Sequence, residues 1–525
     1  MHASAATAAA WATVLYPLGA VAAPGAAAGV ILASSQPKES RVNELCKLPA
    51  TAAVALLRRR EVSPLEMIDA AAARIAETDP ALNALPTLCL DRARDHARRL
   101  MAQPPKLPPA HYLYGLPIAV KDNMDVSGVR CTAGSRIYAD RVSAESDIIV
   151  ERLETHGALV VAKSNLPEFA AGGNTFNEVF GVTRNPWDTR LTPSGSSGGA
   201  AAALASGQVW LATGGDFGGS IRTPSSYCST VGLRPTPGMV PRAQRQPFSA
   251  LSVEGPMARN VADCALMFEC EAGAHRLDPM SRPLESGSYM AAAARPQKPR
   301  RIAFSVDLGV MPVVHRDTRA VVEAAAKKIA GDGVIVEEAH PDLSDAVRNF
   351  MVLRGGIYVA RIAPLLKKHR HLLKPEVIGN TEFGLGLTLS EVVAAELAQG
   401  EIVRRMARFF ETYDLLVAPA VMCPPFPVET RYIAELDGVK LDGYMGWLAL
   451  TCALSITACP ILALPGGFTP DGLPVGLQVA GPLRSEAMLF AQGAYLEQLL
   501  GCADRLPIDP VRRHGPATRE GRRHA

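Results

Sequence analysis

From Glu44 onward, apolar residues recur at i, i+3 and i+4. The segments LPATAAVALLRRREVS and PLEMIDAAAARIAETDP, residues 48–63 and 64–80, therefore predict two amphipathic helices, with Pro64 at a first helical position. Short apolar runs break this period: LPIAV from Leu116, ALVVA from Ala158, RIAFSV from Arg301 and LLVAPA from Leu415. They read as buried strands. Strands alternating with helices predict an α/β layered fold, helices covering a buried and largely parallel sheet. No internal repeat is present. Asp278 to Arg300 is charged and poorly patterned, which predicts a surface connection between an N-terminal half and a C-terminal half that adds pocket walls.

The two ends carry a different pattern. Ala3 to Pro37 contains no charged residue and is rich in Ala, Val and Leu, so residues 1–40 read as an extension, either signal-like or disordered. An Ala-Val-Ala sequence at residues 20–22 fits a cleavage site, and an anchor through residues 1–35 is an alternative. Against export, no Lys or Arg precedes the apolar run, Pro17 and Pro24 interrupt it, and alanine contributes little to insertion. The expectation is a cytoplasmic enzyme without stable membrane contact. Residues 509–525 are basic and lack apolar periodicity, which predicts a disordered tail. The domain between them is placed at residues 41–508.

Composition narrows the class. With 525 residues, 48% hydrophobic and 20% charged, the chain has material for an extensive core. Its net charge of +3 resides in the tail, so nucleic acid is not an expected partner. The ten cysteines form no CxxC pair and read as reduced, buried thiols. The histidines form no metal-binding spacing, and KKHRHLLK (367–374) reads as a solvated basic face, so no metal and no cofactor is expected.

The candidate chemistry lies in PSGSSGGAAAALASGQVWLATGGDFGGSIRTP, residues 193–224, and in AVKDN, which holds Lys121. A serine hydroxyl attacks a carbonyl only when a base takes its proton. Lysine serves as that base only when neutral, and Lys121 follows the apolar run GLPIAV, where burial disfavours the ammonium. A lysine at a strand end is more often solvated or salt-bridged, and Gly-Ser clusters are more often turns. Together and at this spacing, the segments resemble the amidase signature family of serine hydrolases. AKSNLPEFA from Ala162, VGLRPTPGMVP from Val231, GPMARNVADCALM from Gly255, YDLLVAPA from Tyr413 and GLPVGLQVAGP from Gly472 extend the match from about Arg41 to Leu506, with the signature at about 115–245.

The resemblance implies a single domain built on one large mixed β-sheet covered by α-helices. It implies Ser220 as nucleophile, Ser196 as a bridging serine after a cis peptide bond to Gly195, and Lys121 as base. Backbone N–H groups of Phe217, Gly218, Gly219 and Ser220 would form the oxyanion hole, and glycines allow such convergence without steric conflict. Phe217 departs from the Thr, Ile or Leu of many members. Asp216 and Arg222 are assigned a supporting ion pair, and Ser197 a hydrogen bond within its loop.

A rival reading takes GSSGG, residues 195–199, as the nucleophile elbow of α/β-hydrolases centred on Ser197. The elbow needs a hydrophobic strand before it, whereas NPWDTRLTPS is loop chemistry. A phosphate loop is excluded because no Gly-Lys-Ser/Thr follows the glycines. The expected function is hydrolysis of a small-molecule carboxylic amide, with a homodimer left open. The alternatives are an A-type glutamine amidotransferase subunit, which passes ammonia to a tRNA-linked partner, and a catalytically dead binding homologue. Phe217, SSYCST after Pro224 and the terminal extensions speak against the former, and intact Lys121, Ser196 and Ser220 against the latter. Residues 345–450 show no charged cluster apart from KKHRHLLK.

Overall fold

A computed structural model describes residues 44–243, 246–284 and 287–513. The extension at residues 1–40 and the tail from 514 lie outside the described residues. Helix formation follows the local signals. Ser63 caps the helix Pro64–Leu82, accepting from Glu66 N, while the Glu66 carboxylate accepts from Ser63 N. This reciprocal pair satisfies donors that a helix start leaves open, and it turns Met67, Ile68, Ala71, Ile75 and Leu82 into the core.

The strands, in chain order, are β1 (Thr87–Leu88), β2 (Pro117–Lys121), β3 (Leu159–Ser164), β4 (Phe176–Asn177), β5 (Gly181–Val182), β6 (Leu211–Asp216), β7 (Val231–Arg234), β8 (Val253–Ala258), β9 (Arg301–Phe304), β10 (Ile335–Glu338), β11 (Leu415–Pro419), β12 (Glu435–Leu436), β13 (Val439–Lys440), β14 (Ile461–Phe468) and β15 (Pro474–Ala480). Eleven of them make one mixed sheet in the order β1-β3-β2-β6-β8-β7-β14-β15-β11-β9-β10; β4–β5 and β12–β13 are separate hairpins. This is the α/β architecture with one large mixed sheet.

The expectation of a largely parallel sheet needs correction. Parallel pairing is confined to β3–β2–β6 and β11–β9–β10. From β6 through β8, β7, β14 and β15 to β11 every pairing is antiparallel. Apolar runs reveal that a strand is buried, not which way it points. At β14–β15 the short turn Thr469–Leu473 enforces the hairpin, with Thr469 N donating to Leu473 O at 2.8 Å.

Two features fix the site. The helix Gly198–Ala205 is wholly buried beside β2, β3 and β6, and its alanines allow close approach. At its start a Cβ on Gly199 would lie 2.4 Å from Asn165 N, so the chain after β3 and the serine loop touch backbone to backbone. In the segment 278–300, Tyr289 is buried at 4% exposure and packs on Phe268 and Phe490. Most of the described segment is nevertheless exposed or half-buried, as a surface connection is, with Tyr289 as its anchor. The first residues of the expected disordered tail are also docked: Thr189 N donates to Val511 O, Val511 N to Pro186 O, and Arg74 pairs with Asp509 at 2.7 Å. Among the described residues no helix is long and apolar enough to cross a membrane.

Candidate active site

Lys121 is the last residue of β2, between β3 and β6, and is 1% exposed. Its Nζ lies 2.7 Å from Ser196 Oγ, 2.9 Å from Ser197 Oγ and 3.4 Å from Gly215 O. Burial lowers its pKa from 10.5 to about 7, against the opposing pull of Asp216 and Glu254, while Arg242 adds to the lowering. A neutral amine needs one hydrogen-bond donor for its lone pair. Gly215 O is acceptor only, so Ser196 or Ser197 must donate.

The Gly195–Ser196 peptide bond is cis. Ser197 begins the helix Gly198–Ala205, and its backbone N donates to Ser220 O at 3.1 Å, which ties the two serine loops together. Ser196 is fully buried, Ser220 is half-buried, and both line one cavity with Lys121 and Phe217. No strand precedes Ser197, as the nucleophile elbow would require.

The loop after β6 is held from below. Asp216 accepts from Arg222 Nε and Nη2, each at 3.0 Å, from Arg234 Nη1 at 3.2 Å and from Ile221 N at 3.2 Å. Burial would raise its pKa, but Arg222 and Arg234 outweigh that and hold the carboxyl well below the usual carboxylate range. Arg222 also donates to Thr451 O, Gln478 Oε1 and Ser455 Oγ. Gly219 has φ +120°, and a Cβ there would lie 2.4 Å from Thr451 Oγ1, so only glycine fits. Thr451 Oγ1 donates to Gly218 O at 2.7 Å.

This geometry revises the oxyanion assignment. Gly219 N donates to Asp216 Oδ1 at 2.9 Å and is committed to the loop. The N–H groups of Phe217, Gly218 and Ser220 bond to no described residue. Sequence reasoning missed Arg234 and Thr451 as positioning residues. The only signal for Arg234 was an arginine inside the apolar strand VGLR.

The C-terminal half holds one buried arginine among neutral polar groups, a grouping the sequence did not show. Arg354, 4% exposed, donates to Asn380 Oδ1, to Tyr358 OH at 3.0 Å and to Tyr444 OH at 2.6 Å. Its guanidinium lies 5.6 Å from the Phe217 ring centroid. These residues are far apart in sequence and meet only in the fold. Lys367, Lys368, Arg370 and His371 are exposed, yet Lys374 of the same KKHRHLLK run is not part of a solvated face. It donates to Ala171 O, and burial lowers its pKa to about 8.

A buried lysine on two serine hydroxyls, beside a third serine whose loop offers free N–H groups, matches what a family comparison finds. The family model described as Amidase covers residues 66–490. The chain belongs to the amidase signature family. It is 32% identical over 476 residues to an acylamidase of Rhodococcus erythropolis, covering 88% of this chain and 98% of that protein. It is 33% identical over 471 residues to the A-type subunit of glutamyl-tRNA(Gln) amidotransferase from Prochlorococcus marinus (strain MIT 9303), covering 84% of this chain and 95% of that protein. Among solved structures, a bacterial aryl acylamidase of the amidase signature family superposes with a TM-score of 0.80 at 26% identity, covering 88% of this chain and 99% of that one. Amide cleavage is the chemistry that amidase signature membership supports.

Proposed function

We propose that this protein hydrolyses a carboxylic amide to an acid and an amine or ammonia through an acyl-enzyme on Ser220. The observation that carries this reading is the fully buried Lys121 Nζ at 2.7 Å from Ser196 Oγ, beside the Ser220 loop. As the Ser220 oxygen attacks the carbonyl carbon, its proton passes to Ser196, whose own proton passes to neutral Lys121. The carbonyl oxygen becomes an oxyanion facing the Phe217, Gly218 and Ser220 N–H groups. Breaking the C–N bond returns a proton through Ser196 to the leaving nitrogen. Water then attacks the ester by the same relay and restores Ser220. The ten free thiols fit a reducing compartment, which supports a cytoplasmic location.

A second reading rests on the amidotransferase relative: the same Ser220 chemistry would release ammonia from glutamine for a partner protein. A fluorophosphonate probe tests the first reading. It should label Ser220 in the native protein and nothing in Ser220→Ala; a label on Ser197 would overturn the assignment. Copurification with a partner and transfer of ammonia to it would select the second reading.

A further inference from the structure

The small cavity at Ser220, about 40 Å³, continues into an outer chamber of about 300 Å³; Asn123, Phe169, Arg242, Ser252, Glu254, Arg361 and Ile362 line both. One wall is apolar, formed by Phe169, Phe217 and Ile362 with Tyr358. A lining group that the proposed reaction does not use is Glu254. It stands on β8 directly opposite Gly215 of β6, and residues opposite one another in an antiparallel pair share a face. A Cβ on Gly215 would lie 4.0 Å from Lys121 Nζ, so Glu254 rises on the face of the sheet that carries the lysine amine.

The Glu254 side chain is 12% exposed, and its Oε1 pairs with Arg242 Nε at 3.1 Å. Its Oε2 has no hydrogen-bond partner among the described residues. Arg242 is shared, since it also donates to Ser252 O at 2.6 Å. Burial raises the Glu254 pKa and Asp147 in the outer chamber raises it further, while Arg242 and, more weakly, Lys121 oppose them. Arg361 also lines both chambers and is exposed.

We infer that Glu254 is a specificity-determining residue. Its Oε2 receives a positively charged or hydrogen-bond-donating group on the substrate, while the apolar wall takes the remainder of that substrate. The inference rests on the amidase reading and names its substrate class: amides of mixed character, with an ammonium-type substituent on an apolar or aromatic frame.

Matched pairs test it on both sides of the amide: 4-(aminomethyl)benzamide against 4-ethylbenzamide, and the acetanilides with the same two substituents. In at least one series the aminomethyl compound should show about tenfold or higher kcat/KM, the scale of one hydrogen bond to a charged group. Glu254→Gln should collapse that ratio and Glu254→Asp should keep part of it. Because each ratio is taken within one protein, a partly unfolded variant does not distort it. If turnover is too slow to follow, the ratio is read as protection of Ser220 from the fluorophosphonate. A ratio near or below one in both series, or one that survives in Glu254→Gln, overturns the inference alone. A native protein that cleaves no amide and takes no label at Ser220 overturns the amidase reading, and the inference with it.

Discussion

Two buried lysines lie on adjacent strands, facing opposite sides of the sheet, and differ in nearly everything but depth. Lys121 ends β2 and Lys163 lies on β3, where it pairs in register with Val120; they are 1% and 0% exposed. Lys163 Nζ donates to Met124 O at 2.6 Å and has the Asp122 carboxylate at 3.7 Å. Lys121 has two hydroxyls and a carbonyl, and among the described residues no carboxylate within ion-pair distance. Burial alone does not make a lysine into a base. What makes one is burial among groups that accept and donate hydrogen bonds but do not supply a counter-charge.

Removing each lysine should therefore break different things, and the largest effect is on the rate. Lys121→Met should lower kcat by about 10³- to 10⁴-fold with KM little changed. Its melting temperature should not fall. The folded-state pKa is depressed from 10.5 to about 7, so between those values the unfolded chain binds the extra proton, and stability rises as pH rises through that window. Methionine removes that cost. A melting temperature well below the native one would show that Lys121 is structural, like its neighbour.

Lys163→Met should do the reverse. It leaves Asp122 buried without its cation, and burial already raises the Asp122 pKa while Lys163 draws it back. A loss of about 3 kcal/mol of stability is expected, read by denaturant unfolding. An unchanged unfolding midpoint would break the comparison.

The two hydroxyls on Lys121 sharpen it further. Ser196 lines the cavity beside Ser220, whereas Ser197 is tied to Gly215 N at 3.4 Å and begins a helix. Ser196→Ala should therefore lower kcat by about a hundredfold, and Ser197→Ala by about tenfold or less. Equal losses would mean that either hydroxyl carries the proton.

The difference between the lysines was half legible in the sequence. Lys121, Ser196 and Ser220 sit in short ordered motifs, and an apolar run before Lys121 announces its burial. Asp216 and Arg222 are six positions apart and readable as a pair. What stabilises them is not local. Arg222 reaches Thr451, Ser455 and Gln478 across sequence separations of 229 to 256, and Arg234 closes the same carboxylate from another strand. Strand direction escaped for the same reason, since a buried β7 or β8 reads alike either way. The Arg354 cluster draws on positions 354, 358, 380 and 444, none of which forms a motif alone.

The smallest effect tests the origin of the Lys121 pKa itself. In the proposed reaction neutral lysine is the active form, so kcat/KM should climb as pH rises through about 7 and level off above it, with activity lost on the acid side. Burial sets most of this position, and the charged neighbours trim it: Asp216 and Glu254 raise the pKa and Arg242 lowers it. Arg242→Gln deletes the cation among these neighbours and leaves Glu254 unpaired, and both changes favour the ammonium. The acid limb should therefore move toward higher pH, the rate at neutral pH should fall about two- to threefold, and the loss should vanish well above the limb. A limb that stays in place, or moves toward acid, would show that the group titrating in the rate is not Lys121.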